Sequence, residues 1–341
     1  MKRKRLGKIL IISVISVTVL YFGGGMAAAF IVNNAVFARH DEERVHLTKN
    51  RDDFALLTYR EEFSFSLGNN ELKGYYYQAS PSLGTVIAVH GMNGYADGPD
   101  AQYQEWFLSK GYSVCSIDLT ASGSSQGSSI NGLHQSAHDV KAVYDYLLKN
   151  EKLEEKVVLC GHSWGGYGVA ASLGLGVKAD AVITFSAFDN PFDTMVNYSE
   201  RYVGLLAKMS IPPFYIAQNM AYGEEVFRSA SKALGHSPTK ALIIHGEEDS
   251  AIPLKDISLL DKARGMENVQ TITLPHIGHV YPWLSESSYL YYGELTATYE
   301  TLRKKGDDAA MKEFLDSIDL ERSSARNEAL FQQISSFLDT L

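Results

Sequence analysis

The chain has 341 residues, 45% of them hydrophobic and 21% charged, with 28 glycines and 9 prolines. That composition is globular and excludes a disordered, collagen-like or coiled-coil polypeptide. The net charge is −9 although five of the 31 basic residues crowd into the first eight positions, so the body is more acidic than the whole. Such a body repels a phosphate backbone, and no nucleic-acid partner is expected.

Lys2, Arg3, Lys4, Arg5 and Lys8 precede an uncharged stretch from Ile9 to Asn34. About 20 such residues at 1.5 Å rise cross a bilayer's hydrocarbon core. Basic residues on the leading side favour a cytoplasmic start and an extracytoplasmic body. The segment over 1–35 therefore reads as a signal anchor that places the protein in the cell membrane. Ala27-Ala28-Ala29 also offers a small-residue cleavage site, which would release a secreted body after Ala29; Phe30-Ile31-Val32 prolongs the apolar run past that point. A buried soluble helix is a third possibility. A linker follows over 36–59.

From about residue 60 to 341 the pattern alternates strands and helices, which implies one domain built on a mostly parallel sheet with helices on both faces. Phe63–Leu67 and Leu72–Gln78, joined through Gly68-Asn69-Asn70, read as a hairpin. Buried-strand runs follow at Thr85–Val89, Ser113–Leu119, Lys156–Cys160, Ala181–Phe185, Ala241–Ile244 and Gln270–Leu274, for eight strands in all. Helical spacing is clearest at His134–Leu148 and returns near Asn327–Leu338. Two stretches interrupt the alternation, about 189–239 and 285–322, and both read as helical insertions.

G-x-S-x-G occurs twice, at Gly123–Gly127 and Gly161–Gly165. A serine nucleophile must sit on a sharp turn between a buried strand and a helix, where its Oγ clears the sheet and the helix N-terminus adds N–H donors. Ser163 meets that demand: Val157-Val158-Leu159-Cys160 leads in and a small-residue helix leads out. Ser125 lies in a Ser/Gly/Asn-rich loop and does not. Serine needs a base, itself oriented by an acid. His245-Gly246-Glu247-Glu248-Asp249 and His276-Ile277-Gly278-His279 end later strands, so the order is serine, acid, histidine. Asp249 is the expected acid, with Glu247 and Glu248 as alternatives. His279 is preferred to His276 as the base. Backbone N–H donors for an oxyanion are expected from Trp164, after the nucleophile, and from Met92 in the loop His90-Gly91-Met92-Asn93-Gly94. His90 is expected to brace that loop.

With these four motifs in this order, the sequence resembles the α/β-hydrolase superfamily over roughly residues 60–340. It looks most like bacterial membrane-anchored or secreted serine hydrolases related to monoacylglycerol lipases and proline iminopeptidases. The resemblance implies an α/β-hydrolase fold with a helical cap from the 189–239 insertion. It also implies a third strand placed between the fourth and fifth, which would keep Cys115 and Cys160 apart as free thiols. One departure shows: relatives often carry Asp-x-Arg-Gly-x-Gly-x-Ser after the fourth strand, and Asp118 to Ser125 here lacks the arginine. The expected activity is hydrolysis of a small-molecule carboxylic ester through an acyl-enzyme. Peptide cleavage or acyl transfer could use the same residues, and a binding module on the same scaffold is a non-catalytic alternative. No cofactor or metal motif is present.

Overall fold

A computed structural model describes residues 2–39 and 45–341, without the side chains of 2–4, 202, 203, 205 and 206. Residues 40–44 of the expected linker and the side chain of Tyr202 in the expected cap lie outside that description.

The chain begins with a 35-residue helix, α1 (Lys2–Val36). The central sheet has the order β1-β2-β4-β3-β5-β6-β7-β8. Its first hairpin is β1 (Glu61–Leu67) and β2 (Asn70–Tyr77), antiparallel, and β2 is also antiparallel to β4. The remaining neighbours are parallel: β3 (Thr85–Val89), β4 (Ser113–Asp118), β5 (Val157–His162), β6 (Ala181–Phe185), β7 (Lys240–Gly246) and β8 (Val269–Leu274). This is the eight-stranded, mostly parallel sheet expected of the α/β-hydrolase fold. Cys115 and Cys160 both flank β3, opposite Ile87 and Ala88 respectively, and are buried free thiols.

Parallel strands buried on both faces carry continuous apolar runs, and successive residues serve opposite faces. Ile87 and Val89 join one core, with α3 (Gln135–Lys149) and α4 (Trp164–Ala171). Val86 and Ala88 join the other, with α2 (Ala101–Ser109) and α12 (Glu328–Leu338). Between β6 and β7 the chain forms α5 (Pro191–Val203), α6 (Leu205–Tyr222) and α7 (Ala230–Gly235). The short α8 (Leu259–Ala263) precedes β8, and α9 (Glu286–Lys305), α10 (Asp308–Asp316) and α11 (Leu320–Ser323) lie between β8 and α12.

One carboxylic acid is buried at the start of α2. Burial pushes Asp100 up to about 7, against a lowering hydrogen bond with Tyr103. An unfolded aspartate loses its proton near pH 4, so between there and pH 7 the unfolded state binds fewer protons than the native one and stability falls as pH rises. Asp100→Asn removes this dependence. The expected result is a larger gain in Tm over the wild type at pH 8 than at pH 4, read by thermal melts.

Candidate active site

Ser163 stands between the end of β5 and the first residue of α4, with φ +52° and ψ −115°. This left-handed conformation costs of order 1–3 kcal/mol for a non-glycine residue and persists only where its surroundings hold it. Glycine on either side makes the turn possible. A Cβ on Gly165 would stand 2.3 Å from the Val89 carbonyl oxygen, and one on Gly161 would stand 2.6 Å from the Gly165 backbone. The turn is tied to the next strand by the Ser163 N–H, which donates to the Phe185 carbonyl at 2.8 Å.

The loop after β8 brings His279 to this serine, with Nε2 2.8 Å from Oγ. Its Nδ1 lies 2.8 Å from Asp249 Oδ2, so one imidazole joins two side chains supplied by different strand ends. Asp249 is buried in the loop after β7 and also accepts the Ile252 N–H at 2.7 Å. Burial would raise its carboxyl, but hydrogen bonds from His245 and His279 outweigh that and hold it well below the usual carboxylate range. It is therefore charged throughout the neutral range.

Two further histidines support this constellation. Fully buried His245 directs Nε2 at the Ile252 carbonyl (2.8 Å) and at Asp249 Oδ2 (3.2 Å). His162 places Nε2 2.9 Å from the His279 carbonyl, and burial, with His279 adjacent, pushes its imidazole down to about 3. It is thus neutral, and its N–H holds the His279 backbone. The Tyr289 hydroxyl on α9 accepts the Gly278 N–H at 2.9 Å. Arg201 on α5 donates to the carbonyls of Ser250 and Ala251 beside the acid. These supports are not legible in the sequence: His162 and His245 lie inside the serine and aspartate motifs, but spacing carries no sign of what the extra imidazoles touch.

Met92 follows Gly91, where an added Cβ would stand 3.4 Å from Ser163 Cβ, and Met92 itself is exposed at the rim. Trp164 is the first residue of α4, its indole N–H donating to the Leu133 carbonyl at 2.7 Å. His90 links two loops: Nδ1 lies 2.6 Å from the Gly91 carbonyl, and Nε2 accepts the Leu119 N–H at 3.1 Å. Ser125, the other motif serine, is buried and spoken for. Its Oγ donates to the Asp118 carbonyl at 2.5 Å and accepts the Lys73 N–H at 2.9 Å. Glu247, Glu248 and His276 are exposed, with His276 Nδ1 3.3 Å from Glu248. Where the arginine of relatives is lacking, a guanidinium arrives from elsewhere: Arg39 donates to the carbonyls of Gly123 (2.6 Å) and Ser125 (2.7 Å). Among the described residues no group of three or more His, Cys, Asp or Glu is gathered to hold a metal.

Several cap aromatics pack on one another. Phe192 meets Phe214, Tyr215 and Phe227 at ring distances of 5.2–5.6 Å. Met209, Tyr215 and Met220 are exposed.

A family model described as serine aminopeptidase, S33, matches residues 80–220. Among solved structures, an esterase from Pyrococcus furiosus is similar over 77% of this chain and 98% of its own, at 17% identity and a TM-score of 0.54. Est1E from Butyrivibrio proteoclasticus, solved with ferulic acid bound, is 18% identical over 69% of this chain and 98% of its own, with a TM-score of 0.50. An acylaminoacyl peptidase from Pyrococcus horikoshii is 20% identical over 65% of this chain and 38% of its own, also at 0.50. No curated protein matches the sequence. At these identities the structural likeness carries the fold and not the substrate.

Gly165→Ala would drive a methyl group into the β3 backbone, and overpacking of this kind costs about 1–3 kcal/mol or more. A thermal melt should show a clear drop in Tm; an unchanged Tm would mean that α4 and β3 are not packed this closely. The sheet order and the structural neighbours together give the chain the α/β-hydrolase fold, and the serine aminopeptidase model matches its segment 80–220.

Proposed function

We propose that the protein is a serine hydrolase that cleaves carboxylic esters. The observation that carries this is the His279 imidazole, in hydrogen-bond reach of both the Ser163 hydroxyl and the charged Asp249. Nε2 takes the Ser163 proton as Oγ attacks the substrate carbonyl carbon, while Asp249 orients the ring and stabilises the imidazolium. The N–H groups of Trp164 and Met92 receive the resulting oxyanion, each worth on the order of 3 kcal/mol of barrier. Collapse breaks the ester bond, and His279 passes its proton to the leaving alcohol. A water deprotonated by the same Nε2 then attacks the acyl-enzyme, releasing the acid and restoring Ser163.

Peptide cleavage is the second reading, favoured by the name of the matched family model. An aminopeptidase needs carboxylates free to receive a substrate ammonium. The segment between β6 and β7 offers Asp189, Asp193, Glu200, Glu224 and Glu225, and two of these are already engaged. Asp189 accepts the Ser229 hydroxyl and the Ser231 N–H. Glu225 pairs with Arg228 at 2.6 Å and His138 at 3.0 Å. The ester reading needs no such group.

For location, we propose a single-pass anchor through α1, with its basic start cytoplasmic and the body outside. Within Arg5–Val36 an 18-residue window reaches a mean hydropathy of 2.1. Cleavage after Ala29 would remove part of a helix that packs on α6, which favours retention.

Ser163→Ala should reduce hydrolysis of p-nitrophenyl butyrate by at least about 10⁴-fold with the circular dichroism spectrum and Tm retained. A fluorophosphonate should label the wild type and not the variant. Undiminished turnover in the variant would remove Ser163 from the mechanism, and faster release of proline from a chromogenic amide than of alcohol from esters would favour the peptidase.

A further inference from the structure

Helix α1 does not hang from the body on a tether. Beyond its end, the Ile130 N–H donates to the Phe37 carbonyl at 2.8 Å and the Arg39 N–H to Ser128 at 2.9 Å. With the Arg39 guanidinium on Gly123 and Ser125, these bonds fasten α1 directly to the loop after β4. Upstream, the second half of α1 packs along α6 of the cap. Gly25 makes the close approach possible: a Cβ there would meet the Pro213 ring at 2.6 Å. The same face of α1 buries Ala29 and Asn33, one and two turns further on.

A second contact depends on the prolines inside α6. Pro213 has no N–H, so the carbonyl four residues earlier, on Met209, loses its helical partner. The Tyr21 hydroxyl of α1 donates to that carbonyl. The two helices are matched by an unsatisfied group on one and its donor on the other.

Length then decides where this pair sits. Between the last basic residue, Lys8, and the first contact at Tyr21, α1 offers Ile9–Leu20, all exposed. Twelve residues rise about 18 Å, whereas a hydrocarbon core is about 30 Å thick. A span that starts at Ile9 therefore continues about 12 Å further, through the part of α1 that α6 flanks. The outward face of α6 suits that environment. Met209, Pro212, Ile216 and Met220 recur at helical spacing and are exposed, Met209 at 62% and Met220 at 67%. A soluble protein's surface helix points such a stripe inward. Beside the candidate site, Met92 and Val280 are exposed as well.

We propose that α6 enters the outer leaflet together with α1, so that the cap is seated in the bilayer and the site takes an acyl amphiphile dissolved in that leaflet. The substrate class rests on the ester-cleaving reading of Ser163; the seating of α6 does not. A chain drawn from lipid avoids passage through water, and its ester group, lying near the headgroups, is the part that reaches Ser163.

The full chain, reconstituted in phosphatidylcholine–phosphatidylglycerol vesicles, provides the test. Bimane is attached to Met209→Cys, Ile216→Cys and, as a reference on the body, to Leu83→Cys, which is exposed. Brominated lipid should quench the two α6 positions at least fivefold more than Leu83→Cys. Equal quenching at all three would overturn the seating, and this readout involves no turnover. In a second arm, Ile216→Glu should lower the turnover of vesicle-dissolved p-nitrophenyl palmitate relative to soluble p-nitrophenyl acetate at least tenfold. An unchanged ratio would overturn delivery from the leaflet. If the wild type cleaves neither ester while the quenching pattern holds, the ester reading falls and the membrane seat stands.

Discussion

The left-handed turn at Ser163 is the constraint on which the rest of the site depends. Holding a serine there requires that α4 press against the end of β3 so closely that only glycine fits at position 165. The same contact brings the Gly91 loop beside the serine, so Ser163 and the loop that faces it are set by one packing event. The strain is local and the support is distributed: β3, β5 and β6 all hold the turn through backbone contacts. A rigid scaffold that fixes a reactive group in this way lowers the entropic cost of reaction, because the group need not be found in the right place by chance.

The second requirement is electrostatic. A buried carboxylate is costly unless several donors face it. Asp249 has three: the His279 ring, the His245 ring and the Ile252 N–H. His162 adds no charge near the imidazole that would have to accept a proton, because burial keeps it neutral. The contacts of His162 and His245 hold the His279 backbone and the Asp249 carboxylate in place.

Much of the fold is legible in the sequence because a doubly covered parallel sheet writes its strands as continuous apolar runs. Thr85–Val89 and Ala181–Phe185 have the same ends in both readings. β5 runs two residues past its apolar stretch to His162, since the strand continues into the elbow after hydrophobicity stops. Ser163, Asp249 and His279 are readable from their places after strand ends, which is a local signal. Nothing local announces their supports. Arg39 reaches a loop more than 80 residues away, and Tyr21 completes a carbonyl 188 residues away. A proline pair in α6 marks a missing hydrogen bond, but only the packed structure says who supplies the donor.

The membrane-length helix α1, the α5–α6 segment and the loops after β4 and β7 are joined by direct contacts. The central claim is that Ser163 becomes acylated. It is tested by mixing the protein with p-nitrophenyl butyrate, quenching in acid within the first turnovers and mapping the peptides by mass. The account predicts a butyryl group on the Ser163 peptide, absent when the same quench precedes substrate. Ester turnover with the adduct on another residue, or with no adduct and no initial burst of nitrophenol, would contradict it.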